Sequence, residues 1–268
     1  FEMLEVARNK LKHLDILNNN IDIDLNKLMP NKPIYINKKK YSFKNLIICV
    51  GKNINYNSTH KSIKFNQGHN SYVGFFNHKK NHNNYAYEIF TPHGPLAILP
   101  APANNKLKST FIYTTKNNVH HSDIQSLINK HFLKSHGKIL LEKTIHMFPV
   151  KPYLRKENNN FIYVGDSLKS IHPVAGQGWN LGIKDLQKLI SLSKIYSLDD
   201  ENFNSIYYSN RIVENTIYLS FTSAINFLYE NKNPFNNSII KYGYLGLKNI
   251  NFFRGLFIRQ AMGRANLI

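Results

Sequence analysis

The chain has 268 residues, 42% of them hydrophobic and 13% aromatic, which is enough to bury a substantial core in one large or two modest domains and excludes a disordered chain. Its single cysteine, Cys49, rules out an internal disulfide and fits a reducing compartment. The net charge of +19 comes mostly from lysines spread through a sequence crowded with Asn and Ile, with no nucleic-acid motif among them. Nucleotide bias accounts for that pattern better than a nucleic-acid partner does.

In chain order, the apolar spacing of Leu4, Ala7, Leu11 and Leu14 predicts a short helix. No secretory pattern follows Phe1. Pro33–Ile36, Tyr41–Phe43 and Leu46–Val50 read as strands of a hairpin-like unit, with the dense run Lys38-Lys39-Lys40 at its turn. From Ser62 to Thr115 the pattern becomes strands between polar turns, with the best candidates at 73–76, 85–90, 96–100 and 110–114. Ser122–Leu133 reads as a helix that Ser122 or Asp123 can cap, with Ile124, Leu127, Ile128 and Phe132 inward. Phe148-Pro149-Val150 reads as a short link. His93, in the turn before Gly94-Pro95, is read as a surface histidine.

The most informative stretch is 165–182. Asn160–Val164 before it is a short buried strand, and the residues from Leu181 onward have helical spacing, with Leu186, Leu189 and Ile190 on one face. Between them stand a carboxylate at the strand's end, a Pro-stiffened turn and closely spaced glycines. Glycines let main-chain N–H groups approach a ligand, and a helix N-terminus favours negative charge, so this is a place for a flat or phosphorylated molecule. The remainder is helical, with Phe203, Tyr207, Val213, Ile217, Phe221, Ile225 and Leu228 near one face. Tyr244–Met262 is interrupted by Lys248, Arg254 and Arg259, too charged to span a bilayer. Helix packing is the default for it, with a membrane surface as the alternative.

Gly165-Asp166, then His172-Pro173-Val174-Ala175-Gly176-Gln177-Gly178-Trp179-Asn180-Leu181-Gly182 and a following Asp185, resembles the second flavin-binding motif of the class A flavoprotein monooxygenases, most closely the ubiquinone-biosynthesis hydroxylase branch. Tyr87–Pro100 resembles that family's substrate-domain signature, and Tyr208–Gly263 its C-terminal helices. The resemblance implies an α/β (α+β) fold of the para-hydroxybenzoate-hydroxylase type. Its parts would be a partial FAD-binding domain over 1–51, an inserted β-sheet substrate domain over 52–150, the second flavin motif over 151–195 and C-terminal helices over 196–268. It implies FAD as cofactor, NAD(P)H as co-substrate, and hydroxylation by O2 of an aromatic, polyprenylated ubiquinone precursor. It also implies a cytoplasmic enzyme, with peripheral attachment to the inner face of the membrane or to a ubiquinone-biosynthesis complex as a further expectation, and no metal.

On that resemblance, Gly165 and Asp166 hold the ribityl chain, Pro173 and Ala175 wall the ring, and Gly176, Gln177 and Gly178 turn N–H groups to its pyrimidine edge. Asn180 helps cap the helix and contacts the flavin, as does Leu181. No residue is assigned a catalytic role, and His172 is read as a structural loop residue. Three departures from the family pattern stand out. Val50 precedes Gly51 where an aspartate is expected, Ser167-Leu168-Lys169 replaces Ala-Ala-His, and Trp179 replaces a smaller apolar residue. The Gly-x-Gly-x-x-Gly unit that opens the family fold is absent, so the chain reads as a later portion of a longer enzyme that by itself binds FAD weakly or not at all. The competing readings are another class A hydroxylase and a non-catalytic scaffold or assembly subunit that keeps the fold.

Overall fold

The computed structural model describes residues 32–36, 39–51, 62–64, 68–101, 105–157, 161–231, 233–252 and 254–255. The helix expected over Leu4–Leu14 lies outside them. The chain divides into two compact units, Phe1–Lys44 and Asn45–Ile268. In the first, β1 (Ile34–Ile36) pairs antiparallel with β2 (Lys39–Tyr41). The second strand therefore begins two residues before its expected start, and Lys39 and Lys40 are part of it.

The second unit is built around a five-stranded antiparallel sheet in the order β6-β7-β8-β5-β9. Its strands are β5 (His69–His78), β6 (Tyr87–Thr91), β7 (Gly94–Pro100), β8 (Lys108–Thr115) and β9 (Ile139–Val150). Tyr72, Gly74, Phe76 and His78 of β5 alternate inward and, with Leu96, Ile98, Phe111 and Leu141, form a core under helix α1 (His121–His136). Ile124, Ile128 and Phe132 close that core from the helix side. The helix starts one residue earlier than expected, because the Asp123 carboxylate reaches back to accept the His120 N–H at 2.8 Å. Strand β9 was not expected at all. The supposed link Phe148-Pro149-Val150 is its last three residues, paired with Ser71, Asn70 and His69.

Two smaller sheets carry the motif. β3 (Leu46–Ile48) and β11 (Phe161–Tyr163) run parallel, Leu46 opposite Phe161. β10 (Tyr153–Arg155) lies between β4 (Ser62–Lys64) and β12 (Lys169–Ser170). Helices α2 (Gly178–Ser193), α3 (Phe203–Glu230) and α4 (Pro234–Asn249) follow. Ile162, Val164, Leu189, Leu192, Phe203 and Tyr207 make the core between β11 and the first two of these helices.

The inward faces of α2 and α3 differ from the expected ones. On α2, Leu181, Asp185, Leu189 and Leu192 are buried, while Leu186 and Ile190 are exposed. On α3, Phe203 and Tyr207 point inward as expected, but farther along the buried positions are Arg211, Asn215, Tyr218, Leu219, Thr222, Ser223 and Asn226. Val213, Ile217 and Phe221 face solvent. The rule that apolar side chains mark the buried stripe fails here because these helices enclose polar groups, most of them hydrogen-bonded, with Asn215 Nδ2 and Ser223 Oγ as exceptions among the described residues of α3. A buried polar group is tolerated when it is paired.

Candidate functional site

The 165–182 stretch folds as strand, turn and helix. β11 ends at Tyr163, and a 3-10 turn covers Gly165–Ser167. The short β12 returns, a second 3-10 turn spans Pro173–Ala175, and α2 begins at Gly178. Gly165 has φ +62°, a left-handed conformation that favours glycine, and α2 packs against it at ordinary contact distance, a Cβ added at Gly182 lying 3.6 Å from the Gly165 Cα.

An ion network whose centre, Asp185 with Lys169 and Arg211, is buried fixes the turn from beneath. Asp185 is completely enclosed, and its Oδ2 accepts the Gly165 N–H at 3.0 Å. The same carboxylate receives the Lys169 ammonium and, at 2.8 Å, the Arg211 Nε. Arg211 in turn contacts Glu214, whose other oxygen takes Lys184. Burial pulls the Lys169 pKa down, and the Asp185 carboxylate opposes that pull. The replacement of Ala-Ala-His by Ser167-Leu168-Lys169 is thus absorbed into the interior: all three residues are buried. From the other side, Arg155 donates from Nε to the Ser167 carbonyl at 2.6 Å and from its backbone N–H to the Leu168 carbonyl at 2.9 Å. Ser167 Oγ donates to the Gly51 carbonyl at 3.4 Å. Val50, where an aspartate was expected, is 58% exposed beside it.

Asp166 is exposed at the strand's end. His172 is completely buried, its Nδ1 accepting the Val174 N–H at 3.3 Å, so it caps the second 3-10 turn. Burial, and then His69 with its ring centroid 5.4 Å away, lower the His172 pKa to about 4 despite the opposing Glu230. A neutral imidazole bonded to its own turn suits a structural role. His93 is exposed, as expected.

Gly176 closes the second 3-10 turn at φ +60°, and its N–H donates to the Pro173 carbonyl at 2.9 Å, so that N–H is used within the turn. The N–H groups of Gly178 and the residues just after it have no carbonyl one turn earlier, as at any helix start. Gly176 and Gly178 both border open space, with no atom within 4 Å of an added Cβ. Asn180 does not cap the helix. α2 starts two residues before it, and its side-chain amide donates to Gln177 Oε1 at 3.0 Å. The Leu181 side chain is buried in the core under α2. Ala175 contributes backbone to the second 3-10 turn.

A cavity of about 270 Å³ opens between this turn and the open face of the large sheet. Pro173, Val174 and Gly176 line one side, and Ala97, Ile112 and Glu88 are among the residues lining the other. Glu88 is the side chain that sequence reasoning missed. Although its residue surface is open to solvent, the apolar walls around its carboxyl push the pKa up to about 7. Its alternation with Tyr87 and Ile89 along β6, opposite Ala97 of β7, was the available signal. Phe90 of the same strand stacks on Tyr229 of α3, centroids 3.9 Å apart. Among the described residues no cluster of His, Cys, Asp or Glu is placed to hold a metal ion, and no helix is long and apolar enough to cross a membrane.

Comparison with known proteins agrees with this geometry. No family model matches the chain. Among characterised proteins it is 27% identical to the ubiquinone hydroxylase UbiL of Rhodospirillum rubrum, over 71% of this chain and 47% of that one. It is 32% identical to the 3-demethoxyubiquinol 3-hydroxylase of Escherichia coli, over 40% of this chain and 28% of that one. The chain therefore spans about half or less of the length of the relatives it matches. Among solved structures, p-nitrophenol 4-monooxygenase PnpA of Pseudomonas putida superposes with a TM-score of 0.62 at 13% identity, covering 85% of this chain and 62% of that one. The flavin-dependent brominase Bmp2 gives 0.63 at 11%, covering 84% and 58%. A brominase and a hydroxylase on one fold show that the fold does not choose the reaction. By sequence the chain is a relative of the ubiquinone hydroxylases, and by architecture it has the mixed α/β fold of the flavin-dependent monooxygenases.

Proposed function

We propose that the chain is part of an FAD-dependent monooxygenase that hydroxylates the aromatic ring of a polyprenylated ubiquinone precursor, with NAD(P)H as electron donor and O2 as oxidant, on the cytoplasmic side of the cell. The observation that carries this reading is the 165–182 turn facing a cavity on the open face of the sheet. The residues present fit the ring-and-ribityl part of FAD. Asp166 presents an exposed carboxylate at the strand's end, and open space borders Gly176 and Gly178 beside the cavity.

When bound, FAD supplies the redox chemistry that activates O2 for transfer to an aromatic ring. The chain's own contribution is placement. Asp166 accepts hydrogen bonds from ribityl hydroxyls. The start of α2 favours the negative charge that builds on a reduced ring. Pro173 and Val174, with Ala97 and Ile112 opposite, make apolar walls that exclude water. Glu88, near half-protonated at neutral pH, takes or shares the proton of a hydroxyl on the substrate ring.

The test is a fluorescence-quenching titration of the full chain with riboflavin and with FAD, with and without Asp166→Ala. A charge-assisted hydrogen bond is worth about 1.5–3 kcal/mol, so the variant should bind both roughly 10- to 100-fold more weakly. Equal affinities would remove Asp166 from the site. In parallel, isotopic O2 with a prenylated phenol, NAD(P)H and FAD, given to an enzyme in which this chain is joined to a Gly-x-Gly-x-x-Gly dinucleotide-binding unit, should place label in the ring product, and an unlabelled ring from an assembly that holds FAD would refute the hydroxylase reading.

A further inference from the structure

The large sheet has two functionally different ends. The end that holds His69 and Thr114 faces the 165–182 turn. At the opposite end, three connections meet: the one from β5 to β6, the one from β7 to β8, and the one from α1 to β9. Backbone bonds lock them together. Lys79 and Lys80 both donate to the His136 carbonyl, at 3.1 and 2.8 Å, and His78 donates to the Leu107 carbonyl at 2.8 Å. His82 donates to the Lys106 carbonyl at 3.2 Å, and the Lys80 ammonium reaches the Lys134 carbonyl at 2.9 Å. Asn77 is opposite both Lys108 and Leu140.

The composition of this end departs from the chain's general basicity. Segments 77–85, 101–108 and 130–142 contain seven lysines and no arginine in thirty residues, with one carboxylate, Glu142. Glu142 is already paired with Lys108 at 2.7 Å. That leaves six, Lys79, Lys80, Lys106, Lys130, Lys134 and Lys138, all exposed and none of them in an ion pair among the described residues. Around them stand three exposed aliphatic side chains: Leu107 (46%), Leu133 (52%) and Leu140 (67%). Lysine surrounds without a balancing carboxylate repel one another in water, and exposed leucines lose free energy there. An anionic lipid surface relieves both, as headgroups neutralise the lysines and leucines enter the acyl boundary. A nucleic acid would neutralise the charge but leave the leucines in water. No arginine fork stands among the lysines, and a single exposed ring in these segments among the described residues, Tyr85 (63%), falls short of a track of stacking platforms.

We infer that this end of the sheet is a docking surface for an anionic lipid bilayer, with Lys79, Lys80, Lys106, Lys134 and Lys138 contacting headgroups and Leu107, Leu133 and Leu140 inserting shallowly. The inference does not depend on the flavin reading: it would hold for a chain that never bound FAD.

The experiment is vesicle co-sedimentation of the full chain, using phosphatidylcholine alone and phosphatidylcholine mixed with phosphatidylglycerol. Binding should require the anionic lipid and weaken with added salt. Each lysine near such a surface contributes about 1 kcal/mol, so the triple variant Lys79→Gln, Lys80→Gln, Lys134→Gln should bind roughly 100-fold more weakly. The charge-matched control Lys151→Gln, Lys156→Gln, Lys194→Gln should bind like the parent. A second variant, Leu107→Ser, Leu133→Ser, Leu140→Ser, should lose the binding that persists at high salt. All six targeted side chains are exposed, and circular dichroism would verify that each variant folds. The inference is overturned if the control and the test variant lose binding equally, if neutral vesicles bind as well as anionic ones, or if duplex DNA competes the chain off the vesicles and its binding shows the same lysine dependence.

Discussion

Replacing Asp185 by asparagine removes the one negative charge that faces both Lys169 and Arg211 in the interior, while keeping the side chain's shape. Asparagine can still accept the Gly165 N–H through its Oδ1. Arg211 retains Glu214, but Lys169 is left as a buried cation with no other anion among its hydrogen-bond or ion-pair partners. Breaking a buried pair by removing one partner costs about 3–5 kcal/mol, a large share of a typical domain stability of roughly 5–15 kcal/mol. Urea denaturation followed by far-UV circular dichroism should therefore show a clear drop in midpoint for Asp185→Asn with an unchanged slope. Lys169→Met alone should cost less, because Asp185 keeps Arg211 and the Gly165 N–H. The double variant Lys169→Met/Asp185→Asn should be more stable than Asp185→Asn alone, with a coupling of about 1–3 kcal/mol. If Asp185→Asn changes stability by less than about 1 kcal/mol, the network is not what anchors the turn.

Two further outcomes are expected. Gly94→Ala should disrupt the β6–β7 turn, since Gly94 has φ +135° and an added Cβ would fall 1.9 Å from the Thr114 carbonyl oxygen. A loss of several kcal/mol is expected, against about 1 kcal/mol for Gly165→Ala, which is strained only through its φ of +62°; near-equal midpoints would contradict this. The pH dependence of stability should show two phases. His136 and His172 are held near pKa 4 by burial, below the ordinary 6.5. The unfolded chain therefore binds more protons between those values, and stability falls as pH drops from about 6.5 toward 4. Each histidine contributes up to roughly 3 kcal/mol. Glu214 is depressed by Lys184 and Arg211, and Glu230 by His69 and Lys116, both against the opposing effect of burial. Their contribution is present above the ordinary glutamate range and is lost only as pH falls through their lower folded values. A urea midpoint that stays flat from pH 6.5 to about 4.5 would refute the histidine phase.

The strand, turn and helix of 165–182 were legible because each signal was local: an apolar strand, Pro173, the glycines, and a helical repeat beyond. The antiparallel sheet was legible for β6, β7 and β8, whose apolar runs are short and clean. β9 was not, because it is an edge strand whose exposed positions hold Lys143, Thr144, His146 and Met147 in two adjacent pairs, which blur the two-residue alternation. The buried faces of α2 and α3 were misjudged for a related reason. Periodicity finds where apolar residues cluster, whereas here Asp185, Arg211, Asn215 and Thr222 go inward because partners on other elements or on their own helix receive them. Glu88 was passed over since one carboxylate on a strand looks like an ordinary surface residue until the opposing turn forms a cavity around it.

Helix α3 touches the motif region twice. Near its start Arg211 reaches Asp185, and near its end Asn226 and Glu230 reach His69, which lies edge-on to His172. An α-helix advances about 1.5 Å and turns about 100° per residue, so α3 acts as a gauge with two marks whose spacing and phase are fixed by residue count alone. Gaining or losing one residue between Arg211 and Asn226 would swing one mark about 100° away from its target while the other stayed in place. A seven-residue change would restore the phase but displace the mark by roughly 10 Å. The length of that interval should therefore be as constrained as the motif itself, even though none of its residues lines the cavity.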